Sequence, residues 1–213
     1  MTAERHRRPL AKRNASSVTT STPPRILVFA GSARENSFNK RLARLAAERV
    51  EHAGGQATFI DLRDYPLPLY DGDLENREGL PANARHLQAL LGEHQGLLLA
   101  SPEYNGFITP LMKNTLDWMS RSDGERSGLA LFTDQVAAVV SASPGALGGM
   151  RSLALIRQLL GNLGVTVLPS PLAIPRAAQA FGENGELVDE NQRERLDALC
   201  QRLVTMLAKL HMS

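Results

Sequence analysis

Residues 25–31 read RILVFAG and residues 32–39 read SARENSFN, and together they decide how this chain of 213 residues folds. The first stretch is an uninterrupted apolar run that follows a proline and ends in a glycine, which is typical of a strand buried on both faces. The second stretch is short and polar, and it leads directly into apolar residues at helical spacing. The pattern predicts a strand, a tight loop and a helix in immediate succession.

The same alternation of strand and helix continues along the chain. Strands are predicted at residues 25–31, 56–62, 96–101, 135–142 and 165–168. Helices are predicted from 38 to 54, 81 to 94, 109 to 121, 148 to 163 and 190 to 211. Such alternation favours an α/β fold, a doubly wound parallel sheet of five strands in the order 2-1-3-4-5 with helices on both faces.

Composition excludes several classes of protein. With 43% hydrophobic and 22% charged residues, the chain has the balance of a single globular domain. Cys200 is the only cysteine, so we predict no internal disulfide, no thiolate-bound metal and a reducing, cytoplasmic location. The five histidines lack the spacing of metal ligands. No apolar run approaches the ~20 residues that span a bilayer and no signal-peptide pattern opens the chain, so we expect no membrane partner.

Residues 1–24 differ in composition from the remainder. They carry five basic residues against Glu4, a net charge of +4, which leaves residues 25–213 at −2 of the formal total of +2. Few apolar and many Ser and Thr residues predict a disordered basic tail, with an organelle presequence or a polyanion-binding arm as alternatives. Residues 25–211 are the predicted domain. Its mildly acidic balance predicts no nucleic-acid partner.

Candidate binding residues follow strands 1, 3 and 4, whose carboxyl ends meet at one edge of the predicted sheet. After strand 1, Gly31 permits a sharp turn, small hydroxyl and amide side chains can donate to an anion, and Arg34 adds a permanent charge. A monophosphate site is the favoured interpretation, and a plain helix cap at Ser37 is the alternative. The sequence has neither a GxxxxGK[ST] loop nor a GxGxxG loop after strand 1, which argues against ATP, GTP and a Rossmann-type dinucleotide.

The loops after strands 3 and 4 carry weaker signals. Residues 101–106 (SPEYNG) predict either contacts to a planar ligand or a polar turn with Asn105 and Gly106 at its corner. Residues 141–149 (SASPGALGG) contain glycines that let backbone amides approach a ligand closely. Ser143 is a poor candidate for a hydrolase nucleophile, because position 141 is not glycine and His211 is the only histidine downstream.

Three motifs, each after the expected strand, resemble the NADPH-dependent FMN reductases of flavodoxin-like fold, in particular bacterial quinone and chromate reductases and azoreductases. They are GSARENSFN at 31–39, PEYN at 102–105 and KNTLDW at 113–118. The resemblance covers residues 25–211. It implies bound FMN, a hydride from NADPH or NADH, and a small-molecule acceptor such as a quinone, an azo compound, chromate or free flavin. It implies no catalytic side chain.

The resemblance also implies which residues contact the cofactor. The phosphate and ribityl end would be held by Ser32, Arg34, Ser37, Phe38 and Asn39. The isoalloxazine would be lined, largely by backbone, by Pro102, Glu103, Tyr104 and Asn105, with Ser143 and Gly145 at its other edge.

Residues 113–118 of the third motif are interpreted as packing and capping the third helix, with Trp118 in the core. The relatives form homodimers or homotetramers in which the neighbouring subunit helps to enclose the flavin. Residues 65–70 and the acidic stretch that follows them are candidates for that contact, or alternatively the loop packs on its own subunit.

Three other hypotheses remain open beside a reductase. A flavodoxin-like electron carrier would have no substrate of its own, and Arg34 and the modest charge argue against it. An FMN-binding redox sensor would not turn over NADPH. The arsenical-resistance flavoproteins are a related branch, and the PEYN motif favours the reductases over it.

Overall fold

The computed structural model describes residues 22–211 and contains a parallel sheet between two layers of helices. The strands are β1 (Arg25–Ala30), β2 (Gln56–Ile60), β3 (Gly96–Ala100), β4 (Glu103–Tyr104), β5 (Phe107–Ile108), β6 (Val136–Ala142), β7 (Thr166–Val167) and β8 (Leu172–Ile174). The helices are α1 (Phe38–His52), α2 (Gly72–Glu78), α3 (Ala82–Glu93), α4 (Pro110–Met119), α5 (Met150–Asn162), α6 (Ala177–Ala180) and α7 (Glu190–Leu210). Two 3-10 turns lie at Leu62–Asp64 and Gly128–Leu131.

The main sheet has the order β2-β1-β3-β6-β7, with every pairing parallel. The predicted order is therefore confirmed. Its fifth position is divided, because β7 pairs with the start of β6 while β8 pairs with the end of β6. The predicted strand at 165–168 corresponds to β7, and β8 was not predicted.

The sheet separates two apolar layers. Alternate residues of β1 point to opposite sides, so Ile26 and Val28 join a core beneath α1 and α7, while Leu27 and Phe29 join a core beneath α3, α4 and α5. Because both faces are covered, the strands read as continuous apolar runs. Trp118 is fully buried in a smaller cluster with Leu80 and Ala84, which confirms its predicted place in the core.

The predicted basic tail falls almost wholly on residues 1–21, which lie outside the described part of the chain, so it stays a prediction. Within residues 22–211 no helix is both long and apolar enough to cross a membrane.

Candidate functional site

The carboxyl ends of β1, β3 and β6 deliver three loops to one edge of the sheet: residues 31–37, 101–102 with the β4–β5 hairpin, and 143–149. From β1 the chain moves outward to β2 and then back across to β3. The connections therefore leave β1 and β3 on opposite sides, which opens a crevice between their ends. This crevice is the candidate site.

Gly31 sits at the base of the crevice. Its N–H donates to Ala100 O (3.0 Å), and its carbonyl accepts from Thr109 Oγ1 (2.7 Å). A Cβ at this position would lie 2.8 Å from Cβ of Met112. Its φ is outside the left-handed region. The expected sharp turn is present, since the Ser32 N–H donates to Ala30 O (2.8 Å), but it needs no positive φ. Glycine is required here by the close approach of α4.

The first loop collects donors suited to a phosphate. Ser37 caps α1, since its Oγ accepts from the Lys40 N–H (3.4 Å), and its own hydroxyl proton remains available to a ligand. Buried Ser32 accepts from the Arg34 N–H (3.3 Å), and the Arg34 side chain is exposed. The N–H groups of the first helical turn have no intrahelical acceptors. Capping and phosphate binding by Ser37 are thus compatible.

The first two residues of α1, Phe38 and Asn39, use their side chains for contacts within the protein. Asn39 Nδ2 donates to Ala142 O (2.7 Å) and Asn39 Oδ1 accepts from Ala142 N–H (2.9 Å), with the side chain buried. The Phe38 ring stacks on Phe181 with centroids 6.4 Å apart. What Phe38 and Asn39 can offer to a phosphate is therefore their backbone N–H groups.

An ion pair that no sequence pattern predicted lies beneath the loop. Lys40 is 2% exposed, and its Nζ donates to Asp61 Oδ2 over 2.6 Å. Burial alone would raise the pKa of Asp61, but hydrogen bonds from Lys40 and the Arg63 N–H outweigh it and hold that pKa below its ordinary value. The pair ties the first turn of α1 to the end of β2.

The second loop forms the β4–β5 hairpin. Asn105 (φ 53°) and Gly106 (φ 79°) occupy its two central positions, both left-handed, as a type I′ turn requires. The predicted polar turn at these residues is confirmed. Tyr104 is 48% exposed, so its ring lies open at the edge that carries the phosphate-type donors.

The side chain of Glu103 points to the opposite face of the hairpin from that of Tyr104, towards the N-terminus of α5, and is 7% exposed. Its Oε2 accepts from the N–H groups of Arg151 (3.1 Å) and Ser152 (3.3 Å), and its Oε1 accepts from Arg151 Nε (2.8 Å) and Nη2. Burial opposes the charge, but these hydrogen bonds hold the pKa of Glu103 below its ordinary value. The carboxylate thus caps α5, whose own N-cap, Gly149, has no side chain to do so.

The third loop has an exposed crest at residues 144–147 and a tightly packed end. Ser143 Oγ accepts from the Gly145 N–H (3.3 Å), and Gly145 O accepts from the Arg176 N–H (3.2 Å). A Cβ at Gly149 would lie 1.9 Å from Ser141 Oγ. Leu207 of α7 packs against the start of β3, so the nearby His211 lies at the opposite end of the sheet from Ser143. This separation removes the serine hydrolase alternative.

The motif at 113–118 holds the loop at 65–70. Asn114 donates to Pro68 O (2.9 Å) and accepts from the Tyr70 N–H (2.8 Å), and Trp118 Nε1 also donates to Pro68 O (2.8 Å). The predicted packing role is confirmed. The segment also takes part in capping α4 at its C-terminal end, where Asp117 O accepts from the Ser120 N–H (3.2 Å) and from Ser120 Oγ (2.7 Å). The N-terminal end is capped by Thr109, whose Oγ1 accepts from the Met112 N–H (3.2 Å).

Other chemistry finds little support in the described chain. Among residues 22–211, no group of three or more His, Cys, Asp and Glu side chains is arranged to hold a metal ion. Burial raises the pKa of Cys200 to about 12, so its thiol is no nucleophile at neutral pH.

The chain is similar to known proteins along most of its length. The NADPH-dependent FMN reductase model matches residues 24–179. A probable NADPH:quinone oxidoreductase 2 of Oryza sativa subsp. japonica is 34% identical over 198 residues, which cover 89% of this chain and 93% of that one. An NADPH:quinone oxidoreductase of Arabidopsis thaliana is 32% identical over 191 residues, covering 87% and 93%. FerB, a flavoenzyme NAD(P)H:(acceptor) oxidoreductase of Paracoccus denitrificans, superposes with a TM-score of 0.73 at 26% identity, covering 87% and 98%.

These similarities agree with the chemistry of the crevice. Hydroxyl groups, an arginine and the N-terminus of α1 suit the phosphate of FMN, and the hairpin beside them leaves an aromatic ring exposed. The family match spans the sheet from β1 to β8 together with the three loops. The chain therefore belongs to the NADPH-dependent FMN reductase family.

Proposed function

We propose that this protein is a quinone reductase whose FMN lies across the crevice at the carboxyl ends of β1, β3 and β6. FMN is its cofactor and NAD(P)H is its electron donor. The observation that carries the location is the set of phosphate-type donors at the start of α1, on the same edge as the open β4–β5 hairpin.

In this proposal the first loop binds the phosphate. Ser32 and Ser37 donate through their hydroxyl groups, Arg34 supplies the charge, and the first turn of α1 supplies backbone N–H groups. Asn39 and Phe38 act through their backbone, because their side chains are engaged with Ala142 and Phe181.

The other two loops would hold the ring. Pro102, Glu103, Tyr104 and Asn105 line one side, largely through backbone, and Ser143 and Gly145 approach the other edge. Bound FMN would supply the chemistry of hydride acceptance from the nicotinamide and of two-electron transfer to the acceptor. The chain's own residues bind and orient the reactants, so no side chain needs to act as a nucleophile or an acid.

Quinones are the proposed acceptors, because two relatives similar over most of their length are named as quinone oxidoreductases. Azo compounds, chromate and free flavin are acceptors to be compared with them. An electron carrier or a redox sensor would share the cofactor, but small-molecule acceptors would reoxidise its reduced flavin more slowly than that of a quinone reductase.

A homodimer or homotetramer is part of the proposal. Hydrogen bonds pin the backbone on both sides of Leu69, at Pro68 and Tyr70, so its side chain stands 79% exposed on a fixed loop. Beside α4 lies a recess of about 170 Å³ with a mainly apolar lining: Phe107, Ile108, Lys113, Leu155, Gln158, Leu159 and Asn162.

The occupant we infer for this recess is Leu69 of a second copy. Asn114 of α4 contacts the loop that carries Leu69, and the adjacent Lys113 lines the recess. A two-fold axis near α4 would therefore place Leu69 of each copy in the recess of the other. A cytoplasmic location is proposed as well, on the single, buried cysteine.

The function is tested on FMN-loaded protein without oxygen. NADPH should bleach the flavin absorption at about 450 nm, and one equivalent of benzoquinone should restore it within the turnover time. A flavin that bleaches but returns only with a redox protein would identify an electron carrier. Protein that fails to retain added FMN would overturn the proposed site.

A further inference from the structure

The carboxylate of Glu103 is the one charged group of the PEYN segment, and it lies behind the hairpin. Both its oxygens are engaged, by Arg151 and by the first N–H groups of α5. The Arg151 guanidinium lies against the turn, since a Cβ built on Gly106 would be 3.7 Å from Arg151 Cζ. Glu103 and Arg151 therefore form a charge pair that contacts the hairpin at the start of β4 and at its turn.

The two charges of this pair differ in their access to water. Glu103 is 7% exposed, whereas Arg151 is 62% exposed. A buried charge acts on its surroundings through a medium of lower dielectric constant than a solvated charge does. The field of Glu103 is therefore the less screened of the two, and Arg151 with the N-terminus of α5 compensates it.

We propose that Glu103 and Arg151 act on the reduction potential of bound flavin with opposite signs. The inference rests on the proposed location of the ring beside residues 102–105. Reduction adds negative charge to the ring, so a nearby carboxylate opposes it and a nearby guanidinium favours it. Each residue acts through its own field at the ring, where the positive charge of Arg151 partly cancels the negative charge of Glu103.

The pair also has a structural role, because it joins the β4–β5 hairpin to the N-terminus of α5. Ser152 Oγ donates to Ser101 O (3.2 Å), so α5 is tied to the end of β3 by a second contact independent of Glu103. A variant that keeps the shape of the pair should therefore retain the hairpin. Glu103→Gln and Arg151→Gln remove charge with the smallest change in size.

The experiment measures the midpoint potential of the flavin in FMN-loaded variants by dye equilibration. Glu103→Gln should raise the potential and Arg151→Gln should lower it. The expected change in the relative binding of reduced and oxidised FMN is about tenfold for Glu103→Gln, or about 30 mV for a two-electron couple. It should be smaller for Arg151→Gln, whose charge is better screened. The double variant should return towards the wild-type potential.

The signs separate this proposal from a structural role. If the substitutions acted by loosening the hairpin, the midpoint potentials of both single variants would shift in the same direction. That result would overturn the proposal, and so would midpoint potentials that are unchanged in both variants. Arg77→Gln and Glu78→Gln remove the charges of an exposed ion pair on α2 and serve as matched controls.

Failure of the proposed site has a different signature. If FMN bound elsewhere, the Arg34→Ala protein would retain FMN as the wild type does. The midpoint potential of the flavin would also be unchanged in Glu103→Gln. Normal dependence of FMN retention on Arg34 with unchanged potentials would overturn the inference about the pair alone.

Discussion

Asn39 and Ala142 are 103 residues apart in the chain and are joined by two buried hydrogen bonds between one side chain and one peptide backbone. The amide of Asn39 pairs with Ala142 as a neighbouring strand would. It thereby fixes the first turn of α1 to the end of β6. The loop that carries the phosphate-type donors and the loop of residues 143–149 are held in register by this contact.

Asn39→Ala should lower the free energy of unfolding by several kcal/mol. The change leaves the buried N–H and C=O of Ala142 without partners, and each such group costs about 1–3 kcal/mol. Urea unfolding of the flavin-free protein measures the effect. Asn83→Ala, which removes one exposed hydrogen bond to Pro66 O, is the control. It should change the free energy of unfolding by at most about 1 kcal/mol. Equal effects of the two variants would contradict the bracing role.

Asp61→Asn should destabilise the protein by about 3–5 kcal/mol at neutral pH, because it leaves the Lys40 ammonium buried without a countercharge. Adding Lys40→Met should recover much of the loss. Urea unfolding of the two variants and the wild type at pH 7 provides the comparison. A double variant no more stable than Asp61→Asn would show that the pair is not the cause.

The same carboxylate gives an expected pH dependence. The pKa of Asp61 is held below its ordinary value of 3.8, so its contribution is complete above about pH 4 and is lost as the pH falls through the folded-state pKa. Asp61→Asn lacks this contribution at every pH. Its stability should therefore fall less steeply than that of the wild type below about pH 4, and parallel curves would contradict the assignment.

Arg34→Ala should weaken FMN binding by roughly 1.5–3 kcal/mol, the range for a hydrogen bond to a charged group. Equilibrium dialysis or fluorescence titration with FMN measures the dissociation constant. Riboflavin, which lacks the phosphate, should bind both forms equally. Arg85→Ala removes an exposed arginine of α3 and should leave FMN affinity unchanged. An unchanged affinity in Arg34→Ala would place the phosphate elsewhere.

Leu69→Ser should shift the proposed oligomer towards a monomer, since it removes the exposed apolar side chain proposed to enter the recess of a second copy. Light scattering after size-exclusion chromatography measures the mass. Val188→Ser changes a comparably exposed apolar residue, 62% exposed, and should leave the mass unchanged. A Leu69→Ser protein with the wild-type mass would exclude this contact.

The sheet and its order followed from the sequence because they depend on local apolar runs and on the few topologies that right-handed crossovers allow. The elements that were missed have little apolar signal. Helix α2 buries no residue, and its capping Asp71 was its only sign. Strand β8 has three residues between Pro171 and Pro175, too few for periodicity to register.

The candidate site was foreseeable to the extent that its chemistry is local. Ser32, Arg34 and Ser37 lie in one loop, and their residue types alone indicate an anion. The side-chain roles of Asn39, Lys40 and Glu103 depend on partners 103, 21 and 48 or 49 residues away. Such partners become visible only when the chain has folded.

The divided edge of the sheet has a consequence for behaviour at high concentration. A continuous outer strand exposes a row of peptide groups on which a foreign strand can assemble. Here the row breaks between β7 and β8, where two prolines, Pro169 and Pro171, flank Ser170 in a left-handed conformation. Because of this interruption, an incoming strand finds no continuous row of peptide groups to pair with. This edge should therefore resist seeding of fibrils by unfolded chains of the same sequence.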